Sequence, residues 1–153
     1  MEIVQVGSYP PPYGGQSVHI KNLRDFLRSK GHRCNVLNAE GSKTIREEGI
    51  VNTASSLDLL VKVTRDRATL IHVHFGRKGT FRKLYLCFAG SKVHRRRSIV
   101  ATIHSGAFIS DVEGLLWQNR RMFLSVLRQV DFIISVNEYI KNYLVRKNFN
   151  NDK

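Results

Sequence analysis

Glu2-Ile3-Val4-Gln5-Val6, then Gly7-Ser8-Tyr9-Pro10-Pro11-Pro12-Tyr13-Gly14-Gly15, then Gln16 to Lys30, is the stretch on which the fold turns. The first five residues are apolar and β-branched in the manner of a strand. The next nine are dense in Gly and Pro and read as a loop. From Gln16 onward, Ile20, Leu23 and Leu27 fall on one helical face with Phe26 beside them. Gly31 stands where a helix C-terminal cap is expected, and Cys34 to Leu37 forms a second apolar run.

The same alternation continues along the chain. Residues 39 to 53 are polar and irregular and read as a loop. Ser55 or Ser56 caps a helix to about Arg65, with Leu57, Leu60 and Val61 facing inward. Strands follow at Leu70 to Val73, Ile99 to Ile103 and Phe132 to Val136. Between them, a helix from Thr80 to Ala89 carries Phe81, Leu84, Tyr85 and Phe88 on one side. Residues 105 to 114 read as a loop. A helix from Gly114 to Arg128 then carries Leu116, Phe123 and Leu127. Asn137 caps a last helix bearing Ile140, Tyr143 and Leu144. Five continuous apolar strands alternating with helices predict one α/β domain over residues 1–153: a Rossmann-like, doubly wound parallel sheet with helices on both faces. In such sheets ligands bind beyond the C-terminal strand ends, so the residues just after each strand are the ones to read.

Composition narrows the class. Hydrophobic residues make up 42% of the 153, enough for a real core. No stretch approaches the roughly 20 apolar residues of a membrane-spanning helix. The N-terminus has no basic region followed by a long apolar run, so no signal peptide is read. Cys34 and Cys87 lie in apolar segments without a CxxC pair and read as buried, reduced thiols. A cytoplasmic location is the expectation. The net charge is +13, and its surplus is concentrated. Between Asp66 and Asp111 there is no acid, while Arg67, Arg77, Lys78, Arg82, Lys83, Lys92, Arg95, Arg96 and Arg97 all lie there. A block this one-sided is either a solvated face or a docking surface for an anionic membrane, nucleic acid or phosphorylated substrate.

Three strand ends carry candidate chemistry. Gly14 and Gly15 open a helix whose free N–H groups and dipole suit a phosphate, or else they serve only to turn the chain. The spacing is not the GxGxxG of a dinucleotide fold, and Glu40 as a ribose-binding acid is weak evidence. His72-Val73-His74 places two imidazoles on one strand face, but no Cys, Asp or Glu follows to complete a ligand set, so no metal is expected. His74, at the strand end, reads as a cleft contact and His72 as a hydrogen-bonded core residue. Thr102-Ile103-His104-Ser105-Gly106 ends the next strand. His104 there can meet a substrate or bond the loop backbone, and position alone leaves both open.

Taken in order, these segments resemble the N-terminal half of family 4 retaining glycosyltransferases. The resemblance rests on Ile3 to Val6 with the prolines and Gly14-Gly15, on Val18-His19-Ile20, and on Leu27 to His32 with Val36-Leu37. It continues through Ile71 to His74, Val100 to Gly106 and Val130 to Glu138. The resemblance implies an acceptor-side domain of a GT-B fold, facing a second, donor-binding domain across a cleft. It further implies that Gly14, Gly15, Ser105 and Gly106 approach the phosphates or sugar of a UDP- or GDP-sugar. His104 would contact the transferring sugar, and His74 and Tyr13 would line the acceptor side. It implies catalysis without metal or other cofactor. The acceptor is expected to be a glycan or a lipid-linked sugar, with the basic residues Arg77, Lys78, Arg82, Lys83, Arg95, Arg96 and Arg97 touching the inner membrane face. Residues 1–153 alone, lacking the donor-domain motifs, are expected to be inactive. The alternative is a non-catalytic basic module docking on anionic membrane or, with less support since no nucleic-acid-binding motif is visible, on nucleic acid.

Overall fold

A computed structural model describes residues 1–39, 44–93 and 97–149. Six strands, β1 (Glu2–Gly7), β2 (Arg33–Asn38), β3 (Ile50–Asn52), β4 (Leu70–Phe75), β5 (Ser98–Ile103) and β6 (Phe132–Ser135), form one sheet in the order β3-β2-β1-β4-β5-β6. Every pairing is parallel. The helices are α1 (Gly15–Ser29), α2 (Ser56–Arg65), α3 (Phe81–Ser91), α4 (Phe108–Glu113), α5 (Trp117–Arg128) and α6 (Glu138–Arg146). A 3-10 turn at Lys78–Thr80 leads into α3. The expected parallel α/β architecture is therefore present, with three adjustments.

The first is the extra edge strand β3, inside the segment read as a loop. Three residues are too few to show a period, and only pairing with β2 through Val36, Leu37 and Asn38 defines them. The second is the segment before β6, where one expected helix is two. Residues 108–113 already form α4, and Leu116, expected inward, caps α5 and is 78% exposed. The third is the phase of α2, which buries Leu59 and Val63 rather than Leu57 and Val61. Gly90 of α3 explains that phase. A Cβ there would sit 2.8 Å from Val63 Cγ1, so α2 and α3 touch along the row containing Val63. Ser55 accepts from Asp58 N and Asn137 from Ile140 N, as helix capping requires.

The helices are divided unequally between the two faces. Side chains from α2 to α6 join Val73, Phe75, Ala101 and Ile103 in one large core. Phe81 stacks on Phe123 at 4.3 Å, with Phe75 and Phe108 about them. Each such ring contributes on the order of 2–3 kcal/mol by burial. The other face carries α1 and a small cluster of Tyr9, Ile20, Val36 and Ile50. Residues paired in register share a face, so Val36, Gln5, His72, Val100 and Phe132 form one row across five strands on the α1 side. Exposure climbs along it from none at Val36 and Gln5 to 6% at His72 and 56% at Phe132. Burial on this side thus ends at β4 and β5, and Phe132 and Ile134 of β6 face outward.

Gly31 ends α1 in the left-handed region at φ 79°. An L side chain there pays for that conformation. Gly31→Ala is expected to lower unfolding stability by about 1–2 kcal/mol in urea titration. Unchanged stability would show that α1 can end in another way.

Candidate functional site

Strand order reverses between β1 and β4, and the crevice that a doubly wound sheet offers a ligand opens above that point. Two glycines let the chain close around it. A Cβ at Gly7 would lie 2.5 Å from Ile20 Cδ1 and 3.2 Å from His74 Cβ. A Cβ at Gly76 would lie 2.8 Å from Ser105 Cβ, so the loops after β4 and β5 run against each other.

The loop from Ser8 to Gly14 is anchored from below. Tyr9 is buried, and its backbone N donates to Asn38 Oδ1 at 3.1 Å. Its hydroxyl donates to Glu47 at 2.9 Å and accepts from Arg24 at 2.8 Å. Arg24 is 3% exposed, although its helix face reads as apolar. It also bonds the Glu47 carboxylate and the Glu48 carbonyl. Burial and the hydrogen bond to Glu47 push the Tyr9 phenol up to about 12, so it stays protonated. Gly14 caps α1 with its N–H on Ser17 Oγ at 2.9 Å, and Ser17 Oγ reaches Pro12 O at 2.9 Å. Gly14 and Gly15 are exposed. A Cβ on Gly15 would meet no atom of the protein within 4 Å, so this N-terminus stands open to the crevice. Gln16 Nε2 donates to His74 O at 3.1 Å and ties the start of α1 to β4.

Beside it lies a chain of side chains across the sheet. Gln5 Nε2 donates to Ile20 O and to Cys34 Sγ, each at 3.3 Å, which leaves Gln5 Oε1 as an acceptor. His74 Nε2 lies 3.0 Å from that oxygen and therefore carries the proton. His74 Nδ1 is then the bare nitrogen, and His104 Nε2, 3.0 Å away, donates to it. His72 meets Thr102 Oγ1 at 2.6 Å and packs its ring 4.0 Å from His74, as a core histidine should. Burial, reinforced by the neighbouring imidazoles, pushes His72 and His104 down to about 4 and His74 well below the usual range. At neutral pH these rings are uncharged: they can exchange hydrogen bonds with a hydroxyl but lend no positive charge to a phosphate. The N–H groups of the open α1 N-terminus are of the kind that suits an anion.

The residues expected to act are only partly brought together. His104 is half-buried with its ring 5.0 Å from that of His19 on α1, Ser105 lies against Gly76, and Gly106 is exposed. His74 is fully buried, so it supports His104 from below rather than lining the cleft. Tyr13 is 78% exposed on the loop. Among the described residues the basic block does not form one patch. Arg77, after β4, and Arg97, before β5, lie at opposite ends of these parallel strands. Arg77 and Arg82 are exposed. Lys83, expected at the surface, is 6% exposed and donates to His74 O at 3.4 Å. Arg97, also expected there, is a structural clamp that binds the carbonyls of Val63, Asp66 and Ala68. Arg95, Arg96 and Glu40 fall outside the described residues, as does the side chain of Lys78. Cys34 and Cys87 are free and buried, as read. No described helix is long and apolar enough to cross a membrane.

Sequence reasoning missed His19. It sits one helical turn beyond Gly15, exposed, with its ring 5.0 Å from that of His104 and 5.7 Å from that of His74. Its sequence signals were that spacing after the Gly-Gly turn and its place in the Val18-His19-Ile20 segment. Gln5 was hidden in an apolar strand, where a lone amide reads as an interruption.

Buried neutral histidines make stability depend on pH in one direction. Unfolded, they gain protons below about 6.5, while the folded rings resist until far lower, so stability falls as pH drops below about 6.5. For His72 alone, the loss from pH 7 to pH 5 is about 2 kcal/mol. Urea unfolding at the two pH values measures it; equal stability would mean the rings are already solvated in the fold.

Comparison with known proteins bears on the fold and the family. No curated protein matches the chain. Among solved structures, the GsuK channel superposes with a TM-score of 0.54 at 18% identity, over 96% of this chain and 24% of its own. A short-chain dehydrogenase/reductase from Veillonella parvula DSM 2008 superposes with a TM-score of 0.50 at 11% identity, over 86% and 67% respectively. The chain thus spans about a quarter of the channel protein, and at these identities the likeness is one of fold. The profile of Glycosyltransferase Family 4 matches residues 13–153, nearly the whole chain and every element from the Gly14-Gly15 turn onward. The chain therefore belongs to Glycosyltransferase Family 4, as the N-terminal domain of a GT-B glycosyltransferase.

Proposed function

We propose that this domain forms the acceptor-side half of a retaining glycosyltransferase that moves a sugar from a UDP- or GDP-sugar to a hydroxyl of a glycan or lipid-linked acceptor. A second domain supplies most of the donor contacts. The observation that carries the reading is the meeting of His19, on the helix opened by Gly14-Gly15, with His104 at the end of β5, ring centroids 5.0 Å apart. A glycosyl donor presents a diphosphate beside a ring of hydroxyls. An open helix N-terminus next to imidazoles offers each of these its chemical complement. Negative charge growing on the departing diphosphate is stabilised by the first-turn N–H groups of α1 from Gly15 onward, the turn being held by Tyr9 N–H on Asn38 and by the Gly14 N–H on Ser17 Oγ. His104, its Nε2 proton engaged by His74, presents the rest of its ring to the sugar. Ser105 and Gly106 extend that rim, and Tyr13 stands on the acceptor side. The rival reading, a basic module docking on membrane or nucleic acid, has less support, because Lys83 and Arg97 are committed inside the fold.

The test uses the two-domain enzyme. His104→Ala is expected to lower kcat by roughly a hundredfold while leaving the protein folded, at a stability cost of about 1–3 kcal/mol for the lost donor to His74. Gly15→Ala, which meets no protein atom, is expected to raise KM for the nucleotide sugar and lower kcat/KM, with folding unchanged. Wild-type rates in both variants would remove this rim from the reaction. Residues 1–153 alone are expected to show no transfer, and turnover by them would contradict the need for a second domain.

A further inference from the structure

Three histidines converge here from three different elements: His19 from α1, His74 from β4 and His104 from the loop after β5. Each offers one ring nitrogen, and the three nitrogens lie within 4.8 Å of one another. The ring centroids form a nearly regular triangle with sides of 5.0, 5.2 and 5.7 Å. Three imidazoles on a tetrahedral zinc-class ion, with metal–nitrogen bonds of about 2.0–2.1 Å, place their centroids about 5 Å apart. We propose that His19, His74 and His104 form a three-imidazole binding site for a divalent transition-metal ion of the zinc class at the mouth of the crevice.

Two of the ligands are nearly in place. His74 Nδ1 and His104 Nε2 are 3.0 Å apart, against about 3.3 Å for neighbouring ligands in a tetrahedral site. His74 is oriented by Gln5 Oε1 on its other nitrogen, the outer support that metal-binding histidines characteristically have. His19 is exposed on α1 and closes by side-chain rotation. The ion takes the place of the proton between His74 and His104. That proton moves to Nδ1 of His104, so both rings stay neutral and no co-reactant is needed. The fourth position opens to the crevice, where a water completes the shell. A hydrogen-bonded histidine pair is common by itself; the third imidazole at matching distance is what makes a site. The proposal concerns binding by this chain alone and is independent of sugar transfer.

Calorimetric titration of residues 1–153 with zinc chloride tests it, with cobalt(II) as a spectroscopic probe. One zinc ion per chain is expected, with the visible absorption of four-coordinate cobalt. His19 is exposed, so His19→Ala is expected to leave the fold intact. It is expected to weaken binding roughly a hundredfold, as is His104→Ala, whose folding is checked by circular dichroism. His32→Ala, in the turn after α1, is expected to bind as wild type. Absence of stoichiometric binding, or equal affinity in wild type and His19→Ala, would overturn the site.

Discussion

A parallel sheet covered by helices is ordinarily apolar inside, and this one carries a hydrogen-bonded polar row through its centre. Gln5, His74 and His104 are joined in sequence by contacts of 3.0 Å, with His72 and Thr102 alongside. Each of these groups left without a partner would cost about 1–3 kcal/mol. The row is therefore satisfied as a unit, and satisfying it dictates geometry. Gln5 reaches the Ile20 carbonyl of α1 and the thiol of β2 at one end. His104 is held at the other. The chain of bonds thus ties α1, β1, β2, β4 and the end of β5 into one rigid rim.

That rim lies where the sheet's covering changes. Below β1 and β2, α1 closes the face with Arg24 and Tyr9 as buried polar supports. Beyond β4 the same face has no described helix over it, and the row runs out into exposed Phe132 and Ile134. The crevice is consequently bounded by a helix N-terminus on one side and by imidazoles on the other. The basic residues, conspicuous in composition, lie largely outside this arrangement. α3 separates Arg77 from Arg97 by the length of the sheet, and Arg97 holds the end of α2 to the start of β5.

Much of the fold was legible because double burial writes strands as continuous apolar runs and Gly31 writes a helix end. β3 was not, because three residues owe their strand geometry to β2. The face of α2 was misread because apolar residues occupy both candidate stripes, and contact at Gly90 decides between them. At the site, the Gly-Gly turn and His104 were legible from position after a strand. His19 was not, since an exposed histidine on a helix has no period to betray it. Lys83 and Arg97 read as surface cations because a cation in sequence does not show that its side chain is drawn onto backbone carbonyls, His74 O for Lys83 and those of Val63 and Ala68 for Arg97.

The rim depends on the direction of the hydrogen bonds linking Gln5, His74 and His104, and those directions are measurable. Long-range proton–nitrogen correlation of the histidine rings at pH 7 distinguishes protonated from bare nitrogens. A proton on Nε2 of His74 with Nδ1 bare, and a proton on Nε2 of His104, is the predicted pattern. A proton on Nδ1 of His74, or a doubly protonated His74, would contradict it and dissolve the link that holds His104 at the rim.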